Sequence, residues 1–412
     1  MHNLMVALTL AALIAGVFSF VPEKGGLQYE RLVRNCCHNE HPTVLTILPP
    51  QTKPIQLTQD LVTSQTINPT ATNSWWSSSF VHASDDHDYL IISHVLLQGQ
   101  DVSTVLLRAS ILDINDTAYY RQVSWIHDGS SKTGHVQNVP PGVATKYFGF
   151  VSVDPANPLD QMGIWCTNER VEFNLTFQLS APIILNGGTG TFPFGNEITF
   201  EWSMPAGVTD GHFTINRKFL TVDSARSSTW YDRQFMWPIV PMDGPAKSNW
   251  TWFQVHLGQR TMSIWAWDTF DGQRFQFATV RDKPGIHQVL AVSELIPSSR
   301  QWTSSCSKAT YSLDWVVTLV DGTILELSSV RDDQELCDPK GTIGTYEGYI
   351  TVSGTRGEHP ISGYGLVEVV PLQLLAEQNF EVASDSSNVD SWAANEPHSG
   401  RYMSSKLHIA KR

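Results

Sequence analysis

Near the middle of the chain, Ser228-Thr229-Trp230-Tyr231-Asp232-Arg233-Gln234-Phe235-Met236-Trp237 sets a carboxylate and a guanidinium among aromatic side chains. In an extended segment successive side chains point to opposite faces. Trp230, Asp232 and Gln234 then share one face, and Tyr231, Arg233 and Phe235 share the other. A carboxyl beside an indole, in surroundings of low polarity, has a raised pKa. Held neutral at working pH, it can protonate an alkene, an epoxide or a carbonyl. The plainer alternative is an ion pair between Asp232 and Arg233 that fixes a domain junction.

The elements that must position this segment read as strands. Short alternating runs recur at 89–97, 102–111, 147–153, 171–179 and 198–202, and many more follow Trp230. Long amphipathic helical patterns are absent. Asp271-Gly272 separates Ile264-Trp265-Ala266-Trp267 from Arg274-Phe275-Gln276-Phe277, a hairpin signal, and Asn186-Gly187-Gly188 marks another turn. Chains so rich in strands close into barrels or sandwiches to remove exposed edges.

Several words resemble one family in the expected order. They are Asn73-Ser74-Trp75-Trp76, Phe200-Glu201-Trp202-Ser203-Met204-Pro205-Ala206 and Trp230-Tyr231-Asp232-Arg233-Gln234, then Ser299-Arg300-Gln301-Trp302-Thr303 with Tyr311-Ser312-Leu313-Asp314-Trp315. Tyr346-Glu347-Gly348 and Gly363-Tyr364-Gly365-Leu366-Val367-Glu368 complete the series. Over much of its length the chain is similar to the hydroxyneurosporene synthase and AttH-like proteins with their kievitone hydratase relatives, and more distantly to fungal Diels-Alderases. Departures are Phe235, where the family usually has Trp, Asp314, where Glu is common, and a polar tail after Leu375.

The resemblance implies an all-β fold of two consecutive lipocalin-like barrels, 21–218 and 219–375, with the Asp232 segment opening the second. It implies an enzyme of specialised metabolism that hydrates, rearranges or cyclises an apolar prenylated, terpenoid or polyketide substrate without a cofactor. Asp232 is the expected acid and Glu347 the second carboxyl, with Arg233, Tyr231 and Gln234 positioning. Glu201 and Asp314 stand in reserve, each with the plain alternative of a strand-surface carboxylate. Trp76, Trp202, Trp230 and Trp302 are the expected pocket walls, with ordinary core as their alternative. A pericyclase of the Diels-Alder or hetero-Diels-Alder kind is the rival enzyme, and a lipocalin-like carrier the third reading.

Composition bounds the rest. A formal charge of -13 with no basic run argues against nucleic acid or an acidic membrane surface as partner. Fourteen tryptophans suit a cavity for a large apolar ligand as well as a core. The first twenty residues hold no Lys, Arg, Asp or Glu, and an apolar run ending near Phe20 reads as a signal peptide over 1–20, a retained N-terminal anchor being the alternative. Sequons at Asn115, Asn174 and Asn249 agree with the secretory pathway. Residues 376–412 are polar and rich in Ser, Asp and Asn, and are expected to be a disordered tail.

In a two-residue hairpin around Asp321-Gly322, facing residues have numbers that sum to 643, as Cys306 and Cys337 do, so a disulfide is expected there. Of the remaining cysteines, one of Cys36 and Cys37 is expected to bond Cys166. The clusters at Cys36 to His41 and around His82 and Asp85 to Asp88 lack a recognised ligand spacing, and no metal is expected. No Gly-x-Ser-x-Gly elbow, His-Glu-x-x-His helix, Walker loop or dinucleotide fingerprint occurs.

Overall fold

The computed structural model describes residues 57–98, 104–128, 141–194, 197–237, 248–269, 272–283, 286–341 and 344–371, with the backbone of 18–20. The expected tail, Cys36, Cys37 and most of the expected leader lie outside these residues. Among the described residues no helix is long and apolar enough to cross a membrane.

Two antiparallel sheets carry the fold. The first curls through strands Tyr120–Asp128, Thr104–Asp113, Asp88–Gln98, Thr72–His82, Ser228–Trp237, Glu197–Ile215, Glu172–Gln178, Gln161–Thr167, Phe148–Ser152 and Gly142–Ala144, in that spatial order. The second is a closed eight-stranded barrel running Ser248–Leu257, Arg260–Thr269, Arg274–Lys283, Ile286–Pro297, Asp314–Leu319, Thr323–Ser329, Gly344–Arg356 and His359–Val370, the last strand pairing back onto the first. Closure removes the edges that an open sheet exposes. The 264–267 and 274–277 arms pair as the hairpin signal expects, Trp267 opposite Phe275.

The strand Glu197–Ile215 curls the first sheet. Ile198 to Val208 pair with Ser228–Trp237, then Thr209 to Thr214 pair with Glu172–Gln178. A bulge between Met204 and Gly207 precedes this change of partner, which comes between Val208 and Thr209. A Cβ at Gly207 would stand 2.2 Å from the Gln178 carbonyl oxygen, so only glycine lets the strands approach there.

The expected boundary at 218/219 falls inside the first sheet. Lys218–Thr221 and Ser228–Trp237 both pair with Glu197–Ile215, and Ser228–Trp237 pairs on its other side with Thr72–His82. The change of sheet comes between Trp237 and Ser248. The Asp232 segment is thus a central strand of the first sheet and does not open the second barrel. Strand pairing decides membership, and the partner strand lies more than 150 residues earlier in the chain.

Its two faces do different work. Tyr231 and Arg233 point into the first core, where Arg233 is wholly buried. All five guanidinium N–H groups are used. Nε donates to Ser64 O at 2.6 Å, Nη1 to Ser74 O at 2.9 Å and Gln234 O at 2.8 Å, and Nη2 to Thr66 O and Asn73 Oδ1, both at 3.0 Å. The Ser64 carbonyl is the last of the Leu57–Ser64 helix and Thr66 lies just beyond it, so the cation satisfies an orphan acceptor and complements the helix dipole. The Trp75 ring lies 3.6 Å and the Phe235 ring 4.1 Å from the guanidinium carbon. There is no ion pair with Asp232, because adjacent strand residues face opposite ways.

Cys306 and Cys337 are joined by a disulfide with Cα atoms 6.5 Å apart, but register is not the reason. In the Asp314–Leu319 and Thr323–Ser329 ladder facing numbers sum to 642, as in Trp315 with Leu327. Cys306 sits instead in the turn of a small separate hairpin, Gln301–Thr303 with Thr310–Ser312, while Glu335–Cys337 pairs with Gly344–Arg356. Cys166 is a free thiol buried in the first core, not a disulfide partner.

Arg233→Lys offers at most three donors where five are used, and is expected to lower unfolding free energy by about 2–4 kcal/mol. Denaturant titration measures this, and the rate per folded molecule should change far less than stability.

Candidate active site

The other face of the Ser228–Trp237 strand meets the barrel. Register carries one row of side chains straight across the first sheet. Ser203 pairs with Asp232, Asp232 with Trp76, Trp76 with His94, His94 with Arg108 and Arg108 with Ser124. All six are buried. Glu201 lies two positions from Ser203, so it shares that face. From the barrel come Glu347 and Glu368, which pair across adjacent strands, and Trp252, the neighbour of Glu368 on its other side. Trp76, Trp230, Trp252 and Trp265 belong to a single apolar cluster at the seam, with the Trp76 and Trp252 rings 5.2 Å apart edge to face.

Three of the four carboxyls at this seam receive an indole N–H. Trp230 donates to Asp232 Oδ1 at 2.6 Å, Trp76 to Glu347 Oε2 at 2.9 Å and Trp250 to Glu368 Oε1 at 2.7 Å. Among the described residues the cation that reaches these carboxyls is Arg108, whose Nη1 is 4.0 Å from Glu347 Oε1. Burial therefore dominates. It pushes Asp232 up to about 8, the Glu368 charge adding to it, while the Ser203 and Trp230 donors pull the other way. Glu347 likewise rises to about 8 through burial and Glu368, against Arg108 and Trp76. Glu201 is raised well above the carboxylate range by burial and by Asp232, and Glu368 is raised by burial against its Trp250 bond.

A loop completes the Asp232 end. Asn186 Nδ2 donates to Ser203 Oγ at 3.0 Å, which turns the Ser203 hydroxyl toward the carboxyl. That loop is pinned to the barrel, Leu185 N donating to His287 Nε2 and Gly187 N to Thr279 Oγ1, both at 3.0 Å. At the opposite rim Ser78 Oγ donates to Gln254 Oε1 at 2.6 Å, and Gln254 Nε2 lies 2.8 Å from His256 Nε2. Such a set can hold neutral acids against an apolar substrate and exclude bulk water.

Of the residues expected at the site, Asp232, Glu347, Trp76 and Trp230 meet here, and the reserve Glu201 joins them. Gln234 shares the face of Asp232 and is half-buried. The others go elsewhere. Tyr231 donates to Gln65 Oε1 at 2.6 Å in the first core, and Arg233 is the clamp already described. Trp202 is in that core too, its Nε1 donating to Ser64 Oγ at 2.9 Å. Trp302 stacks on Tyr311 against the barrel core. Asp314 is gripped by Arg300 at 2.8 and 2.9 Å; burial works against its charge, but the Arg300 and Ser328 bonds outweigh it and hold its carboxyl below the usual range. His82 is taken up by Asp88 and Asp86 at 2.8 and 3.2 Å, beside Arg226. Sequence reading missed His94, Arg108, Trp252 and Glu368 as site residues. Their alternation was visible, but only register sets them beside Trp76 and Glu347.

A family model described as AttH-like matches residues 106–370. Kievitone hydratase of Fusarium solani subsp. phaseoli is 34% identical over 301 residues, 72% of this chain and 82% of that protein. The dehydratase asqC of Emericella nidulans is 29% identical over 324 residues, 76% of this chain and 88% of its own. The crystal structure of kievitone hydratase from Nectria haematococca superposes with a TM-score of 0.65 at 31% identity, covering 74% of this chain and 91% of that one. An AttH protein of Nitrosomonas europaea shares the fold, with a TM-score of 0.58 at 17% identity over 73% of this chain and 92% of its own. With its sheet and barrel in the arrangement of a solved hydratase, the chain belongs to the AttH-like family.

Proposed function

We propose that this protein adds water to, or removes it from, an apolar secondary metabolite by acid-initiated chemistry at the seam, with Asp232 as proton donor and Glu347 as second carboxyl. The observation that carries the reading is the set of carboxyls buried with indole donors, Arg108 reaching Glu347 at 4.0 Å without a hydrogen bond, which keeps them protonated near neutral pH. A hydratase and a dehydratase among the relatives agree with the two directions of one such reaction. The proton forms a C–H bond at one alkene carbon, the indole faces stabilise the cation at the other, and water captures it. Read backwards, the same groups protonate a hydroxyl and expel it.

Kievitone, from the name of the relative with 34% identity, is the first substrate to try. In heavy-oxygen water a hydratase incorporates one solvent oxygen, a cyclase or pericyclase gives an isomer of unchanged mass, and a carrier returns the ligand intact. Asp232→Asn keeps the size of the side chain and removes its acid proton, so the folded variant should bind ligand while turnover falls by roughly two to four orders of magnitude. Full turnover would remove Asp232 as the donor.

The raised carboxyls also tie stability to pH. Between the ordinary values of 3.8 and 4.5 and the folded values of about 8, the folded protein keeps protons that the unfolded chain has released. Their contribution is therefore complete below about pH 4 and is lost as pH rises through about 8. Melting temperature should fall across this window, and Asp232→Asn should flatten the decline. The rate should fall off above about pH 8, where the acid ionises.

We also propose passage through the secretory pathway, on the apolar leader and the sequons. Asn115 and Asn174 are exposed, whereas Asn249 is half-buried and holds Asp268 through both amide atoms, at 3.2 and 2.8 Å. Glycopeptide mapping of the secreted product should find glycans at Asn115 and Asn174 and a bare Asn249.

A further inference from the structure

In acid-initiated hydration the attacking water must lose a proton, and where it attacks away from the acid a second group has to take it. His94 lies between Trp76 and Arg108 in the buried row, and Glu347 touches both of those neighbours from the barrel, by the Trp76 indole bond and the Arg108 contact. The carboxyl thus bridges across the strand that bears the imidazole. His94 Nε2 is 3.0 Å from Ser74 Oγ, and Nδ1 is buried without a hydrogen-bond partner. Ser74 is itself held, since its carbonyl accepts from Arg233. If Nε2–H donates to the Ser74 hydroxyl, the neutral ring keeps an unused acceptor lone pair on its buried Nδ1. Arg108 Nε and Glu347 Oε1 are likewise buried and unpartnered, so three polar atoms of this corner have hydrogen bonding left to give.

Resting on the hydratase reading above, we propose that His94 is the base of the reaction, its Nδ1 holding the attacking water while Arg108 and Glu347 orient it. The Asp232 carboxyl proton goes to one alkene carbon and the π pair becomes the C–H bond. The water oxygen forms the C–O bond at the cationic carbon. The protonated alcohol passes its extra proton to His94 Nδ1, and the imidazolium releases it to solvent, from which Asp232 is reprotonated. Substrate and water become alcohol, and both groups are restored.

A weak base suffices, because a protonated alcohol is a far stronger acid than an imidazolium. Burial and the neighbouring Arg108 charge hold His94 well below the ordinary imidazole value. It therefore stays unprotonated at a pH where Asp232 and Glu347 keep their protons. The charged or titratable groups of the row and of the facing barrel strands include Arg108, Asp232, Glu201, Glu347 and Glu368, and with them Tyr120, Tyr349, Tyr364 and His256, which burial keeps uncharged by raising the tyrosines and lowering His256 to about 4. Of these only Arg108 carries charge while the carboxyls are neutral, and it opposes a second cation.

The test compares His94→Gln with Asp232→Asn, using kievitone in deuterium oxide. Gln can still donate to Ser74 but has no ring lone pair. His94→Gln should form alcohol about a hundredfold or more slowly, while deuterium still enters the recovered alkene within severalfold of the wild-type rate, since protonation is intact. Asp232→Asn should lose both. Wild-type alcohol formation by folded His94→Gln, or parallel loss of exchange and hydration, would overturn the proposal. A wild type that neither exchanges nor hydrates kievitone would overturn the hydratase reading for this substrate instead. His94 is then judged alone by its ¹⁵N shifts, which should report a neutral ring at pH 5; a charged ring at pH 6 would overturn its role as base.

Discussion

Taking a carboxyl out of water is the constraint around which the seam is organised. A buried carboxylate without a cation is so costly that the group keeps its proton instead. Indole donors soften the cost without supplying a positive charge, and for Asp232 and Glu347 burial still wins. Burial likewise raises Glu201 and Glu368, and for Glu201 the neighbouring Asp232 and Glu368 carboxyls add to it. Acidity near neutrality thus comes from two sheets pressed together, with neither sheet able to produce it alone.

The Ser228–Trp237 strand shows how one short sequence serves two opposite demands. Its inward face carries a charge that must never be lost, and five hydrogen bonds secure it. Its outward face carries the Asp232 carboxyl, which burial pushes up to about 8 and which the Trp230 and Ser203 donors hold. The backbone joins the two, because the Ser74 carbonyl that receives Arg233 belongs to the residue whose hydroxyl meets His94. Stability on one side fixes geometry on the other.

Much of this was legible in the residues. Alternation alone separated Trp230 and Asp232 from Tyr231 and Arg233, and the hairpin around Gly272 was plain from its turn residues and its aromatics. Long-range pairing was not legible. The sheet that owns Asp232 is decided by Thr72–His82, and nothing local announces that partner. For the same reason nothing local told Trp202 and Trp302 apart from Trp76 and Trp230, since the face each indole covers is set by strand pairing. The Cys306 pairing agrees with the arithmetic while its premise fails: the ladder is one residue out of step, and a separate hairpin brings the sulfur into place.

The closing of the barrel governs when all this comes into being. Ser248–Leu257, which brings Trp250, Trp252, Gln254 and His256 to the seam, gains its second neighbour only when His359–Val370 has been made. Until then the curled sheet, synthesised first, presents Trp76, Leu90, Ile92 and Trp230 with no cover. A nascent chain must carry that aromatic face through more than a hundred further residues of synthesis, a contact of long sequence separation and slow closure. Vulnerability to aggregation is therefore concentrated in the interval before the last strand arrives, and chaperone dependence should follow the rate of synthesis more closely than the stability of the finished fold.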